Sequence, residues 1–419
     1  MNQNLPFTLA DAQSWRERFP TPFYVYDEAG IRACAESLYR AFSWNEGFRE
    51  YFAVKATPTP AILRVLADVG CGADCASTVE VEMAVRCGMK IMFSSNETSD
   101  EEYRAAVAAG AIINLDDFTQ VEHLLNVCGV PETVCLRYNP GSFGDTNAIM
   151  GNLYDSKFGM TRQQIFDAVQ ILKEQGTQHF GIHGMFASCS LDNTYYARLC
   201  KELFALTLEI KEQTGIALEF IDLSGGVGIP YRPEETAVDI FAIGESVRQV
   251  YEEVLVANGI KPAIYTEMGR YMTGPYGYLL TSVIGKKHIY KEYVGVDATA
   301  SCLMRPAIYG SYHHITVLGK ENTPAVQTVD VVGSLCENND KFAVDRPLPA
   351  VDYDDILVIQ DAGAHGHSMG YTYNGKLRCA ELMLCTDGSL KLIRRAETAA
   401  DYFATLEVDS EFVAAGTKV

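Results

Sequence analysis

Basic residues are in short supply: 34 lysines and arginines face 54 aspartates and glutamates, a formal charge of −20. A surface of that sign excludes nucleic acid or an anionic membrane as the main partner, because neutralising phosphates takes a basic face. No run approaches the roughly 18 apolar residues needed to cross a bilayer. Met1-Asn2-Gln3-Asn4-Leu5 lacks the charged-then-apolar order of an export signal, so the expectation is a cytoplasmic protein. None of the 12 cysteines stands in a Cys-x-x-Cys pair. That argues against a zinc module and a secreted disulfide framework, and most of these cysteines read as reduced, buried thiols. Low-complexity linkers and long-period repeats are missing as well. What is abundant is apolar side chain, 48% of 419 residues, enough for a large core and too much for a disordered chain. Such a length holds two domains, or one large barrel with an appendage.

Between residues 50 and 267 a short β-rich apolar run, a polar or glycine-bearing turn and a helically spaced segment alternate. The runs are Glu50–Val54, Gly72–Ala76, Lys90–Ser94, Ala111–Leu115, Thr133–Tyr138, His179–Phe186, Glu219–Ser224 and Ala263–Glu267. Helices are expected at Thr59–Val69, Thr78–Cys87, Asp100–Ala109, Arg162–Gln175, Tyr195–Thr214 and Thr236–Val256. No Gly-x-Gly-x-x-Gly follows the first strand, so the pattern fits a closed (β/α)8 barrel of the TIM type better than an open doubly wound sheet. After Arg270 glycine-punctuated β segments take over: Tyr278–Ile284, Tyr293–Asp297, Val326–Val332, Ile356–Asp361 and Glu381–Cys385. The fold class is therefore α/β, a barrel over residues 30–285 plus a β domain from 1–29 and 286–419, with Phe23–Tyr26 pairing into the later sheet.

Barrel enzymes carry their reacting groups at the C-terminal ends of the strands. Lys55 closes the first strand, where desolvation of the ammonium would depress its pKa and make it a Schiff-base nucleophile, or where it simply snorkels from the rim. Strand seven ends in Gly225-Gly226-Val-Gly228, whose successive amides can form an anion nest or only a tight turn. Strand eight ends in Glu267-Met-Gly269-Arg270, a carboxylate and a guanidinium at the same mouth, readable as a surface ion pair or as ligand contacts. A lysine, an anion nest and a carboxylate on one rim are what a pyridoxal phosphate site needs.

The order of these parts resembles the alanine-racemase-like, fold-type III pyridoxal phosphate enzymes, and within them the diaminopimelate decarboxylases. The resemblance runs from Thr21-Pro-Phe-Tyr-Val-Tyr26 to Glu381. Its motifs are Tyr51-Phe-Ala-Val-Lys55, Ser156-Lys157-Phe158-Gly159, Gly225 to Tyr231, Glu267-Met-Gly-Arg270, Met304-Arg305-Pro306-Ala-Ile-Tyr309, Gly333 to Asp340, and Asp361-Ala-Gly-Ala-His365-Gly. It implies decarboxylation of meso-2,6-diaminopimelate by a homodimer with shared active sites. Lys55 would hold the cofactor covalently; Gly225, Gly226, Gly228, Gly269 and Arg270 its phosphate; Glu267 its ring nitrogen; and Arg137 would lie near the ring. Arg270, Arg305 and Tyr309 would bind the distal substrate carboxylate, and Glu337 the distal ammonium. Cys336, arriving from the partner subunit, would be the acid.

Two positions depart from the family pattern. Met185 takes the register of a ring-stacking histidine, with His183 two residues earlier on the same strand face; Met185 is assigned the contact. His365 stands where a phosphate-touching tyrosine is usual. His365 and His367 lack an evident third ligand, so no metal is expected. The alternatives are decarboxylation of carboxynorspermidine, ornithine or arginine, and a non-catalytic cofactor-binding homologue. An ornithine-type substrate would leave the Arg270, Arg305 and Tyr309 set without its carboxylate.

Overall fold

The computed structural model describes residues 5–143 and 152–406. Two units emerge, one of Glu28–Tyr276, the other of Met1–Asp27 with Gly277–Val419. The second junction falls at 276 rather than 285 because the strand that begins at Gly277 pairs with β neighbours and not with the barrel. Strand β1 (Phe23–Asp27) belongs to the β unit.

The barrel consists of β2 (Arg49–Ala53), β3 (Gly72–Cys75), β4 (Ile91–Phe93), β5 (Ile112–Leu115), β6 (Thr133–Arg137), β7 (His179–His183), β8 (Phe220–Asp222) and β9 (Ala263–Thr266). It is closed and parallel throughout, with Glu50 opposite Thr266 where β2 meets β9. Each of the eight runs read from the sequence supplies one strand. Helices Arg162–Gln175 and Tyr195–Thr214 fall where expected, whereas the last long helix starts at Ile240, four residues late, because the Asp239 side chain caps the Phe241 and Ala242 amides. Helix Thr119–Cys128, absent from the sequence reading, completes the ring between β5 and β6.

Side chains alternate across each strand, so period two fixes what fills the interior. Near the N-terminal ends Tyr51, Met92, Cys135 and Phe220 form a buried layer with Tyr265 against it. Tyr265 stacks on Phe220 at 4.6 Å between ring centres. Gly181 makes room for that ring: a Cβ there would lie 2.1 Å from Phe220. Two residues further along the strands, the interior positions become Asp74, Asn114, Arg137, His183 and Asp222, with Glu267 just beyond β9. An apolar plug below and a polar layer above put the chemistry at the C-terminal mouth.

In the β unit, β10 (Gly277–His288), β11 (Glu292–Val296), β12 (Ile315–Val317), β13 (Gln327–Val332), β14 (Lys341–Leu348), β15 (Ile356–Ile359), β16 (Ala380–Leu384) and β17 (Leu390–Arg394) join β1 in one nine-stranded sheet. Its main order is β14-β13-β11-β10-β1-β16-β17, with β15 on β10 and β12 on β15. β1 runs antiparallel to β10 and parallel to β16, so the N-terminal segment pairs as the sequence reading anticipated. Phe7, Trp15, Phe23, Val25, Leu280 and Val358 bury one face together.

Candidate active site

Lys55 lies in a single helical turn, Val54–Ala56, that ends β2. Its side chain is 52% exposed, and its Nζ stands 3.6 Å from Oδ2 of Asp74, which is 2% exposed. Desolvation pulls the lysine pKa down, but Asp74, Glu267 and Glu80 outweigh it against the opposing charge of Arg137, and the net direction is up. The depressed lysine anticipated from the sequence is thus corrected: the strand end is buried as foreseen, yet the acids around it keep the ammonium charged. Asp74, two residues from the start of β3, was not singled out by the sequence reading; an acidic residue at the end of an apolar strand was the available signal.

Glu267 has three side-chain partners inside the barrel. Its Oε2 accepts hydrogen bonds from Ser224 Oγ at 2.8 Å and from His183 Nε2 at 3.1 Å, while Ser94 Oγ approaches Oε1 only to 3.5 Å. Burial alone would raise its pKa; His183, then Lys55 and Ser224, reverse that and hold the carboxyl well below its ordinary value. Its neighbours go the other way. Burial, with Glu267 as the next cause, pushes Asp74 up to about 7 and Asp222 well above the usual carboxylate range. A crowded set of buried acids cannot all ionise, and the one with the most donors keeps the charge.

The loop after β8 is tight. A Cβ on Gly225 would lie 2.6 Å from the Glu267 carbonyl oxygen, and one on Gly226, at φ +108°, 2.7 Å from Ala187 O. Only glycine fits at either place, so the loop offers backbone rather than side chain to whatever binds there. Gly228 has another occupation: its amide donates to Ser190 O at 2.7 Å. Gly269 packs against the Lys55 turn, where a Cβ would meet Ala56 Cβ at 2.9 Å. Arg270 begins the helix Arg270–Thr273 and donates to the Tyr231 hydroxyl at 2.6 Å. Arg137 pairs with Asp116 at 3.0 Å and lies 4.5 Å over the Phe158 ring. Met185 is half-buried two residues past β7, and His183, not Met185, reaches Glu267.

One atom each from His183, Asp222 and Glu267 lies within 4.8 Å of the others, a spacing that metal ligands also show. Two hydrogen bonds already engage Glu267 Oε2, however, which favours reading the group as a hydrogen-bonded cluster.

The remaining candidates sit in the β unit. Arg305 is 4% exposed and donates to Ser311 Oγ at 3.2 Å; Tyr309, on the same short helix Arg305–Tyr309, is exposed. All 12 cysteines are free thiols, and Cys336 alone among them is exposed. The Cys336 amide donates to Asn374 Oδ1 at 2.7 Å, and Glu337, also exposed, accepts from the Asn339 amide at 3.1 Å. His365 sits at φ +55°, in the left-handed region.

A covalently held pyridoxal phosphate needs a lysine amine, bare backbone for its phosphate and an ionised acid for its ring nitrogen, and Lys55, the Gly225-Gly226 cradle and Glu267 have those chemistries. A family model described as the pyridoxal binding domain of pyridoxal-dependent decarboxylases matches residues 31–274. The chain belongs to the pyridoxal-dependent decarboxylases. It is a carboxy-lyase with pyridoxal phosphate as its cofactor. Diaminopimelate decarboxylase of Methanothermobacter thermautotrophicus is 35% identical, over 94% of this chain and 93% of its own. Protein TabA of Pseudomonas amygdali pv. tabaci is 41% identical, over 93% and 92%. Among solved structures, diaminopimelate decarboxylase of M. jannaschii in complex with L-lysine superposes with a TM-score of 0.88 at 29% identity, covering 95% of this chain and 94% of its own. Among the described residues of this decarboxylase, no helix is long and apolar enough to cross a membrane.

Proposed function

We propose that the chain decarboxylates meso-2,6-diaminopimelate to L-lysine and carbon dioxide, the last step of lysine biosynthesis, as a cytoplasmic homodimer whose sites each join one barrel to the partner's β unit. The observation that carries the substrate is the presence in the β unit of one buried cation and one exposed acid at the positions expected to bind it. Arg305 is a buried guanidinium, and Glu337 is an acid next to the single exposed thiol. A substrate that uses both has a carboxylate and an ammonium on its distal carbon, as diaminopimelate does. Curated relatives named diaminopimelate decarboxylase at 35% and 33% identity support the same reading.

Bound pyridoxal phosphate supplies the electron sink for the electrons released with carbon dioxide. In this reading Lys55 holds the cofactor until substrate arrives, the amides of Gly225 and Gly226 with Gly269 and Arg270 take its phosphate, and Glu267 keeps its ring nitrogen protonated. Arg305, Tyr309 and Arg270 orient the distal carboxylate. The Cys336 thiol gives its proton to the carbon that has lost carbon dioxide, so one C–C bond is replaced by one C–H bond. His365 takes the family tyrosine's place beside the phosphate, as a hydrogen-bond donor.

A second reading, decarboxylation of a different diamino acid, is favoured by one observation: the relative at 41% identity carries the name TabA and not that of a diaminopimelate decarboxylase. Incubation of the purified protein and cofactor with diaminopimelate, ornithine, arginine and carboxynorspermidine in parallel separates the two. Carbon dioxide with lysine as product from diaminopimelate supports the proposal, and release only from another substrate overturns it. A protein that binds cofactor yet releases carbon dioxide from none would be a non-catalytic homologue.

A further inference from the structure

His183 and Asp222 face each other in neighbouring strands, paired in register across β7 and β8, and both side chains are buried at 2% and 0% exposure. Each leaves one polar atom without a hydrogen-bond partner, His183 Nδ1 and Asp222 Oδ2. Their other atoms are engaged: His183 Nε2 with Glu267 Oε2, and Asp222 Oδ1 with the Ser224 amide at 2.7 Å. Two orphaned polar atoms on adjacent buried side chains are an uncommon arrangement, since leaving each unpaired costs about as much as a lost hydrogen bond.

With a neutral imidazole their donor and acceptor capacities fit one another in one way, whereas an imidazolium would donate from Nδ1 to an ionised Asp222. Glu267 Oε2 is an acceptor, so Nε2 carries the imidazole proton toward it, and in the neutral ring Nδ1 is then an acceptor. An ionised Asp222 has no proton to offer Nδ1, whereas a protonated one does. We propose that Asp222 and His183 are positioning residues for the cofactor: protonated Asp222 donates from Oδ2 to His183 Nδ1, and Nε2–H donates to Glu267 Oε2, fixing Glu267 as an ionised carboxylate with Oε1 directed at the pyridine nitrogen. One polar atom each of His183 and Asp222 lies within 4.8 Å of the other, and the terminal torsion of an imidazole is broad. Burial beside Glu267 favours the neutral form of Asp222 independently of that geometry. Together with Ser224, the relay explains why one acid among several in the barrel carries the negative charge. It rests on the reading that Glu267 meets the cofactor ring, and it extends that reading to two residues that touch neither substrate nor cofactor.

The test uses the cofactor-loaded protein. Nitrogen-15 NMR of histidine-labelled protein should find His183 protonated at Nε2 and unprotonated at Nδ1, and infrared difference spectra should contain a protonated-carboxyl band that Asp222→Asn removes. Asn keeps a donor at the Oδ2 position, because its oxygen is held by the Ser224 amide. Asp222→Asn should therefore hold pyridoxal phosphate within about threefold of wild type, while Asp222→Ala weakens it about tenfold or more. An imidazolium at His183, no protonated-carboxyl band, equal losses in Asn and Ala, or a stoichiometric metal ion in the purified protein would overturn the relay. The NMR and infrared readouts need no substrate and stand even if Asp222→Ala does not fold. Label at a lysine other than Lys55 after borohydride reduction would instead unseat the underlying site.

Discussion

Lys55 Nζ and Asp74 Oδ2 stand 3.6 Å apart at the mouth of the barrel, the lysine half-exposed and the aspartate buried. The two make an unequal pair. Asp74 is desolvated and, with Glu267 beside it, pushed up to about 7, while the positive charge of Lys55 favours its ionised form. Lys55 is raised by the charge of Asp74, with Glu267 contributing. Cofactor capture requires the free amine, so this pairing sets the pH at which the apoprotein loads.

Asp74→Asn removes one carboxylate from the ammonium. The charged form of Lys55 loses its stabiliser, its pKa falls, and the amine becomes available at lower pH. Covalent incorporation of pyridoxal phosphate, trapped with borohydride and located at Lys55 by mass spectrometry, should therefore follow a pH curve displaced downward from wild type. An unshifted or upward-shifted curve would remove Asp74 from this role.

Arg305 tests the substrate. A buried guanidinium that binds a desolvated carboxylate is worth far more in turnover than in cofactor affinity. Arg305→Ala is expected to lower kcat/KM for diaminopimelate by roughly 100-fold or more while the cofactor absorption spectrum stays that of wild type. Arg305→Lys, which keeps the charge but loses the fork, should fall between them. Wild-type turnover in Arg305→Ala would end the distal-carboxylate argument.

The barrel was legible in the sequence because strands buried on both faces read as short apolar runs between turns, and eight of them leave little choice of architecture. In the β unit, β10, β11, β13, β15 and β16 were visible as β-rich segments punctuated by glycines. β14 was not: Lys341, Asp345, Arg346 and Pro347 break its apolar pattern, yet it pairs along β13 from Gln327 to Val332 with two register shifts. Helix Thr119–Cys128 was missed because its buried positions Gln120, Val121 and Leu124 include a polar residue, whose side chain holds the Asp116 amide. The glycine loop, Lys55 and Glu267 could be listed from strand ends. The partners of Glu267 could not, since His183 lies 84 positions and Ser224 43 positions away, and only barrel closure brings them together. The same holds for the direction of the Lys55 shift, which depends on Asp74 and Glu80 from the next βα unit.

Asp361 offers a pH test of stability. Burial pushes its carboxyl up to about 7, against about 3.9 for an unfolded aspartate. A group whose folded-state value is raised contributes stability that is fully present below the unfolded value and is lost as pH rises through the folded one. Asn has the same shape, stays uncharged and accepts the φ of +55° at this position. Asp361→Asn should therefore match wild type in urea unfolding at pH 4 and exceed it at pH 8 by up to about 4 kcal/mol. A gain of equal size at both pH values would show that ionisation of Asp361 is not the cause.

Subunit sharing can be tested by mixing defects. Lys55 lies in the barrel unit and Cys336 in the β unit. In the proposed homodimer each site takes its lysine from one chain and its thiol from the other. Lys55→Ala and Cys336→Ala homodimers should each be almost inactive, the first for want of a cofactor lysine and the second for want of the acid. A two-fold dimer with one chain of each kind then holds one site with both defects and one with neither. Random pairing of equal amounts makes half of the dimers mixed, so co-refolding should restore roughly a quarter of wild-type sites. If Cys336 instead served its own chain's barrel, every site in a mixed dimer would carry one defect. Activity that stays at the single-variant background, although native mass spectrometry shows that mixed dimers formed, would refute the shared site and with it the role proposed for Cys336.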